Sequence, residues 1–293
     1  MCNIVSQSRS KGTSDIVQVV SPDVQEQYIP HAVDSEIFRP ATTASDKIKC
    51  AEWKSNITHL KNDNNEEKMI FFWNNRNARR KQSGTLLFWW KEFLDKVGHD
   101  KAILIMHTDV HDQHGQPLDF LIQHLELDQG QVMFSTKKIP PEELAKFYQI
   151  ADCTLNISDA EGFGLATLES LSSGTPIIVT MTGGLQEQVT DGENWFGIGI
   201  EPASKSIIGS LSVPWIYEDR ISGTDFVDAL VRFYNMSKEE RENLGAMGRE
   251  HVIKNYNFEN FNKTWVETML NLHEQCGSWE NRKNYQSWEL IEL

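Results

Sequence analysis

Cysteine is scarce and scattered: Cys2, Cys50, Cys153 and Cys276 are the four in 293 residues, and no two form a Cys-x-x-Cys pair. Zinc knuckles and dithiol redox motifs therefore have nothing to rest on, and free thiols are the simple reading. Long apolar runs are missing as well. No stretch approaches the roughly 20 residues that cross a bilayer, and the opening MCNIVSQSRSKGTSD contains no apolar core of signal-peptide length. The expectation is a cytoplasmic chain with no transmembrane segment. Positive charge is also in short supply, 28 Lys and Arg against 42 Asp and Glu, for a net charge of -14. Such a balance repels nucleic-acid phosphates and anionic lipid, so neither is expected as a partner. One local basic pocket remains compatible with it.

What is present describes an ordinary folded core, with 39% hydrophobic and 10% aromatic residues. From residue 69 onward short apolar runs recur at MIFFW (69–73), AILIMH (102–107), QVMFS (131–135), CTLNIS (153–158) and PIIVT (176–180). Each has strand length, and helical spacing fills the gaps. In GTLLFWWKEFLDKV, Leu86, Leu87, Trp90, Phe93, Leu94 and Val97 fall on one face. Pro140-Pro141 before EELAKFYQIA marks a helix start. Repeated strand–helix alternation predicts an α/β fold, a doubly wound parallel sheet of the Rossmann-like kind that binds ligands beyond its strands' carboxyl ends. Three amphipathic segments then predict C-terminal helices, the middle one opened by a Ser237/Glu240 capping box. The expected division is 1–45 as a short preceding piece, 46–68 as a polar linker, 69–258 as the ligand-binding domain and 259–293 as a final helix and tail.

The most informative string is SDAEGFGLATLESLSSGTPIIVT at 158–180. It follows a buried strand and opens a helix whose Leu165, Leu168 and Leu171 are expected to face the sheet. Gly162 and Gly164 leave the backbone bare at the turn, where free amides and the helix dipole favour an anion. Glu161 and Glu169 are eight residues apart, off a common helical face, and read as two acceptors for different hydroxyls of one ligand, not as an acid–base pair. Taken singly, each of these residues has an ordinary structural reading as a turn glycine or a solvated glutamate.

As a whole, EGFGLATLE followed by SLSSGTPIIV resembles the E-x7-E signature of the glycosyl transferases of group 1, retaining enzymes of the GT-B fold. The resemblance implies that Glu161 meets the donor sugar and Glu169 the ribose. It also implies that the amides of Gly162, Phe163, Gly164 and Leu165 face sugar and diphosphate. FFWNNRNARRKQ carries four basic residues in six, which by charge alone read equally as a solvated face. In the family an arginine and a lysine five residues apart neutralise the diphosphate at this place. Arg76 and Lys81 reproduce that spacing, with Arg80 a competitor for the second role; Asn75 stands where the family carries glycine. YIPHAVDSEIFRP at 28–40 is similar to the interdomain crossover, and TGGLQEQVTDGENWFG at 182–197 to the stretch after the motif. FSTKKIPPEELAKFYQIAD at 134–152 is similar to the segment lining the base pocket, which puts Lys137 among the donor contacts.

The resemblance thus implies the C-terminal donor domain of a GT-B enzyme. Such an enzyme moves a hexose-type sugar from a nucleotide diphosphate sugar to a glycan, lipid or protein acceptor, with retention. The donor is a substrate, and no cofactor or metal is implied. Residues 1–45 are expected to be a remnant of the acceptor domain; either the reading frame is truncated or a separate chain supplies the rest. Three other readings stay open: a non-catalytic nucleotide-sugar-binding subunit, a truncated fragment, or a nucleotide-sugar epimerase of the same fold. HTDVHDQHG at 107–115 has the ligand types of a divalent-metal site, but it follows a strand in a polar loop and is read as that loop. Trp279 and Trp288 in the tail are expected to pack on a partner or a missing domain.

Overall fold

The computed structural model describes residues 6–8, 19, 26–209, 211, 215–278, 280, 281 and 283. Trp279 and Trp288, and with them the expected packing of the tail, lie outside the described residues. Two short strands, β1 (Ser6–Ser8) and β2 (Glu26–Tyr28), pair in parallel, and helix α1 (Ala44–Ser55) follows them. The main sheet begins with β3 (Met69–Asn74), β4 (Ala102–His107) and β5 (Val132–Ser135). It continues with β6 (Cys153–Asn156), β7 (Ile177–Thr180) and β8 (Gly197–Ile200). All six run parallel, in the order β5-β4-β3-β6-β7-β8. The doubly wound α/β sheet expected from the sequence is the one found.

Period-two alternation along β3 explains how both faces are buried. Phe71 and Trp73 point to one side, where they meet Trp90 and Phe93 of α2 (Ser83–Val97) and Phe226 and Phe233 of α7 (Gly223–Tyr234). Ile70 and Phe72 point to the other side. There they meet Phe147 and Tyr148 of α4 (Pro141–Ile150) and Leu168 and Leu171 of α5 (Leu165–Ser172). The short helices α3 (Leu118–His124) and α6 (Leu185–Val189) complete the connections. Helix α8 (Lys238–Asn255) begins with the expected capping box: Ser237 N–H donates to Glu240 Oε2 at 2.7 Å and Glu240 N–H to Ser237 Oγ at 3.2 Å. The last helix, α9 (Phe258–Cys276), buries none of its described residues. Among the described residues no helix is long and apolar enough to cross a membrane.

One local reading is corrected. Residues 46–68 are not a plain polar linker, because Ala44–Ser55 is helical. Thr43 and Asp46 form a capping box there, and Arg39 grips Asp46 at 2.7 Å. Trp53 of this helix sits edge-on to Phe147 at 5.1 Å, and Ile57 and Leu60 are buried behind it. Polar composition hid a cap and a one-sided contact. Residues 28–40 are, in turn, built into the same body. Val33 and Phe38 are buried, Val33 N–H donates to the Tyr256 carbonyl at 3.0 Å, and Ser172 Oγ donates to the Phe38 carbonyl at 2.6 Å. Outside the main sheet lies an antiparallel hairpin of β9 (Ser204–Ile208) and β10 (Ile216–Arg220), for which no expectation came from the sequence.

Candidate active site

Strand order reverses between β3 and β6, since the chain winds outward from β3 through β4 to β5 and then from β6 through β7 to β8. At such a reversal the loops leaving the two central strands diverge and leave a crevice at their carboxyl ends. Residues 75–82 leave β3 and residues 157–164 leave β6, and a cleft of roughly 680 Å³ lies between them. That is within the usual size of a small-molecule pocket. Arg76, Arg80 and Lys81 form one wall, and Glu161, Gly162, Phe163, Gly164 and Leu165 the other. His31, from the segment before α1, closes one end with its ring edge-to-face on Phe163 at 5.2 Å. A larger cavity of about 940 Å³ between α6 and α8 carries Glu187, Asp191 and Glu250 against Lys254, the wrong sign for a diphosphate.

The two walls are stitched together. Asp159 N–H donates to the Arg80 carbonyl at 2.8 Å, and Arg80 Nη1 donates to the Ala160 carbonyl at 2.7 Å. Gln82 is held in the left-handed region at φ 56° while its Nε2 donates to Asp159 Oδ2 at 2.5 Å. An unfavourable backbone state of this kind persists only where the surroundings impose it. Asn75, in contrast, has no positive φ, so the glycine usual in the family is not required at that position. Behind the walls, Arg79 forks onto the buried Glu218 of β10 at 2.5 and 2.9 Å, and Arg220 reaches Asp159 at 3.1 Å. The hairpin is thereby fastened to both loops. Its strand sequence offered no signal of this, because the partners are 139 residues apart.

Lys81 is buried and its ammonium is in a short ion pair with Glu161, whose side chain is also largely covered. Burial lowers the Lys81 pKa more than the Glu161 carboxylate raises it. Arg80 stands 3.6 Å from the same carboxylate. Arg76 lies at the cleft mouth and pairs with Asp112 in the loop after β4, Nε to Oδ2 at 2.5 Å. That loop is the His- and Asp-rich segment, and among the described residues no three His, Cys, Asp or Glu side chains are grouped to hold a metal ion.

Glu169 lies one to two helical turns into α5, outside the cleft lining, and it is half-buried. Tyr148 Oη donates to its Oε2 at 2.7 Å, and Asn74 Nδ2 donates to Tyr148 Oη at 2.8 Å. Desolvation pushes the Glu169 carboxyl up to about 7, against the smaller opposing effect of the tyrosine hydrogen bond. Tyr148→Phe should therefore raise the Glu169 pKa further, and cost roughly 1–2 kcal/mol by leaving Asn74 and Glu169 without their partner. Carboxyl-carbon NMR of Glu169 across pH 5–9 checks this; an unmoved titration would break the link. Neither Tyr148 nor Asn74 was singled out from the sequence, since they come from a helix and a strand 74 residues apart.

Two further placements differ from expectation. Leu168 and Leu171 do face the sheet, but Leu165 is 47% exposed and turns into the cleft. As the first residue of α5, it precedes the buried stripe. Lys137 is exposed on the loop after β5 and does not line the cleft. The Gly183-Gly184 pair after β7 supports the site from beneath. A Cβ at Gly183 would collide with the Glu161 carbonyl, and one at Gly184 would come within 2.6 Å of Phe163 Cα.

Comparison with known proteins gives a consistent picture. Residues 56–212 match the family model described as glycosyl transferases group 1. D-inositol 3-phosphate glycosyltransferase from Acidothermus cellulolyticus is 38% identical over 87 residues, 29% of this chain and 19% of that protein. The first three curated relatives are matched over 19%, 14% and 28% of their lengths, so the chain spans under a third of each. Among solved structures, sucrose-phosphate synthase from Thermosynechococcus elongatus superposes with a TM-score of 0.71 at 22% identity, covering 92% of this chain and 58% of that one. Anabaena HepE in complex with UDP-glucose superposes with a TM-score of 0.69 at 13% identity, covering 92% and 64%. At these identities the two structures speak for the fold alone.

Proposed function

The chain belongs to the glycosyl transferases group 1 family, and from that premise we propose that it transfers a sugar from a nucleotide diphosphate sugar to a glycan, lipid or protein acceptor, with retention at the anomeric carbon. One observation carries the reading. The cleft at the strand-order reversal gathers three cations and a carboxylate from segments about 80 residues apart, together with a glycine-lined helix start. The cations suit a diphosphate, arginine as a fork and lysine as a point charge. As the bond from the sugar's C1 to the diphosphate oxygen breaks, its electron pair goes to the diphosphate. The new C1–O bond forms to the acceptor hydroxyl, whose proton passes to the departing diphosphate oxygen. Arg76 and Lys81 bear the charge that develops on the leaving group, commonly the largest electrostatic contribution to such a step. Glu161 then accepts from sugar hydroxyls, and Glu169 from the ribose.

Lys81 and Glu161 are paired with one another, and an entering diphosphate would offer Lys81 a second anion and free Glu161 for the sugar. The test is calorimetric titration with UDP, GDP, ADP and their sugar conjugates. One base is expected to bind, and Arg76→Ala combined with Lys81→Ala should weaken the diphosphate by about a hundredfold or more while leaving the nucleoside nearly unchanged. Equal losses for nucleoside and diphosphate, or no binding at all, would remove the diphosphate clamp. Conversion of the donor sugar without an acceptor would favour the epimerase reading instead.

A further inference from the structure

The His- and Asp-rich loop after β4 has no part in the donor reading, yet it touches the most exposed cation of the cleft. Arg76 donates from Nε to Asp112 Oδ2 at 2.5 Å and from Nη2 to Asp112 Oδ1 at 3.1 Å. Its Nη2 also lies 2.8 Å from His114 Nδ1. A guanidinium has five N–H donors; these contacts engage three, and among the described residues no acceptor is paired with Nη1. Asp112 is itself fixed. Its side chain is 12% exposed, and its Oδ1 accepts the His114 N–H at 2.9 Å.

The loop is also bound to the segment that carries Arg76. Arg79 N–H donates to the His114 carbonyl at 3.1 Å, and Asn77 Nδ2 donates to the Gln116 carbonyl at 2.7 Å. Gly115 lies against Asn77 with no room for a side chain. We propose that Asp112, with His114 completing the contact, is a positioning residue that holds Arg76 in one orientation at the cleft mouth before an anionic ligand arrives.

Two effects of Asp112 oppose each other. Its negative charge repels a diphosphate, but the Arg76 side chain is 60% exposed, and at a wet mouth that repulsion is screened. The hold on the guanidinium removes the rotamer freedom that a loose arginine loses on binding, and water does not screen that cost. A positioning role requires the ordering effect to be the larger one, and ligand binding to Asp112→Asn decides it.

The inference rests on the diphosphate reading of the cleft, and inorganic pyrophosphate is the probe. The whole chain is labelled with 15N, and the Arg76 Nε–H resonance is identified by its loss in Arg76→Lys. In the parent that proton should exchange slowly with water and shift on titration. In Asp112→Asn it should exchange fast, with pyrophosphate bound about tenfold more weakly, the equivalent of one charge-assisted hydrogen bond. Asp109→Asn, in the same loop but without contact to Arg76, should behave as the parent. Unchanged or tighter binding in Asp112→Asn, or an equal loss in Asp109→Asn, overturns the positioning role and leaves the diphosphate reading standing. No response of Arg76 in the parent overturns the diphosphate reading and this inference with it. If Asp112→Asn loses its dispersed amide spectrum, His114→Ala keeps the ion pair and removes one acceptor. It should weaken pyrophosphate about threefold, and parent-like binding there overturns the proposal.

Discussion

Glu169→Gln is expected to match the parent's stability at about pH 3.5 and to exceed it by about 3 kcal/mol at pH 8. The folded carboxyl titrates near 7, above the ordinary 4.5, because burial disfavours the anion. Well below pH 4.5 both folded and unfolded chains carry the proton, and the group's contribution is fully present. Between 4.5 and about 7 the unfolded chain gives up its proton first, so the parent loses stability as pH rises. The interval of about 2.5 pH units, at 1.36 kcal/mol each, sets the size of the loss. A glutamine never ionises and does not share it. Urea denaturation at the two pH values measures the difference, and parallel pH dependence in both proteins would contradict the assignment. The same change should weaken nucleotide binding about tenfold, because an amide replaces an anionic acceptor for the ribose hydroxyls. More stability with less binding is the pattern expected where a buried charge is kept for function.

Gly183→Ala should destabilise the fold by about 2–4 kcal/mol and weaken donor binding with it. Its φ is 50°, a region where a side chain costs about 1 kcal/mol, and the added Cβ would meet the Glu161 carbonyl oxygen. Relief of that clash requires residues 161–163 to shift, which draws Glu161 away from Lys81. Gly192→Ala separates the two causes. Its φ is 97° but nothing lies within 4 Å of the added carbon, so only the backbone cost of about 1 kcal/mol remains. Denaturation midpoints and nucleotide titration of both variants decide the matter. Equal destabilisation would mean that close approach to Glu161 is not the reason for glycine at 183.

Much of the scaffold was legible in residue order because its signals are local. The runs MIFFW, AILIMH and PIIVT alternate or stay apolar over strand length, and the structure places each in the parallel sheet. Helix α2 shows its buried stripe at three- and four-residue steps, with Leu86, Leu87, Trp90, Phe93 and Leu94 all inside. The Ser237/Glu240 box and the Pro141 start are likewise encoded within four residues. Arg76, Arg80, Lys81, Glu161 and Gly162 through Leu165 were picked out by their resemblance to the family's motifs, and the fold brings them to one cleft. Local reading failed where a polar composition concealed tertiary anchoring, as in α1, or where a position fell just before the buried stripe, as at Leu165.

By itself, then, the sequence determined the alternation of strands and helices and the two short strings that hold the charged and glycine residues, since each depends on neighbours within a few positions. Tertiary structure decided which distant groups touch. Tyr148 and Asn74 reach Glu169, Asp112 reaches Arg76, Glu218 reaches Arg79, and Gly183 lies beneath Glu161. Those contacts set burial and charge pairing, and with them the protonation of Glu169 and the orientation of the cations. They follow from the strand order and the packing of loops at its reversal, which no local pattern encodes.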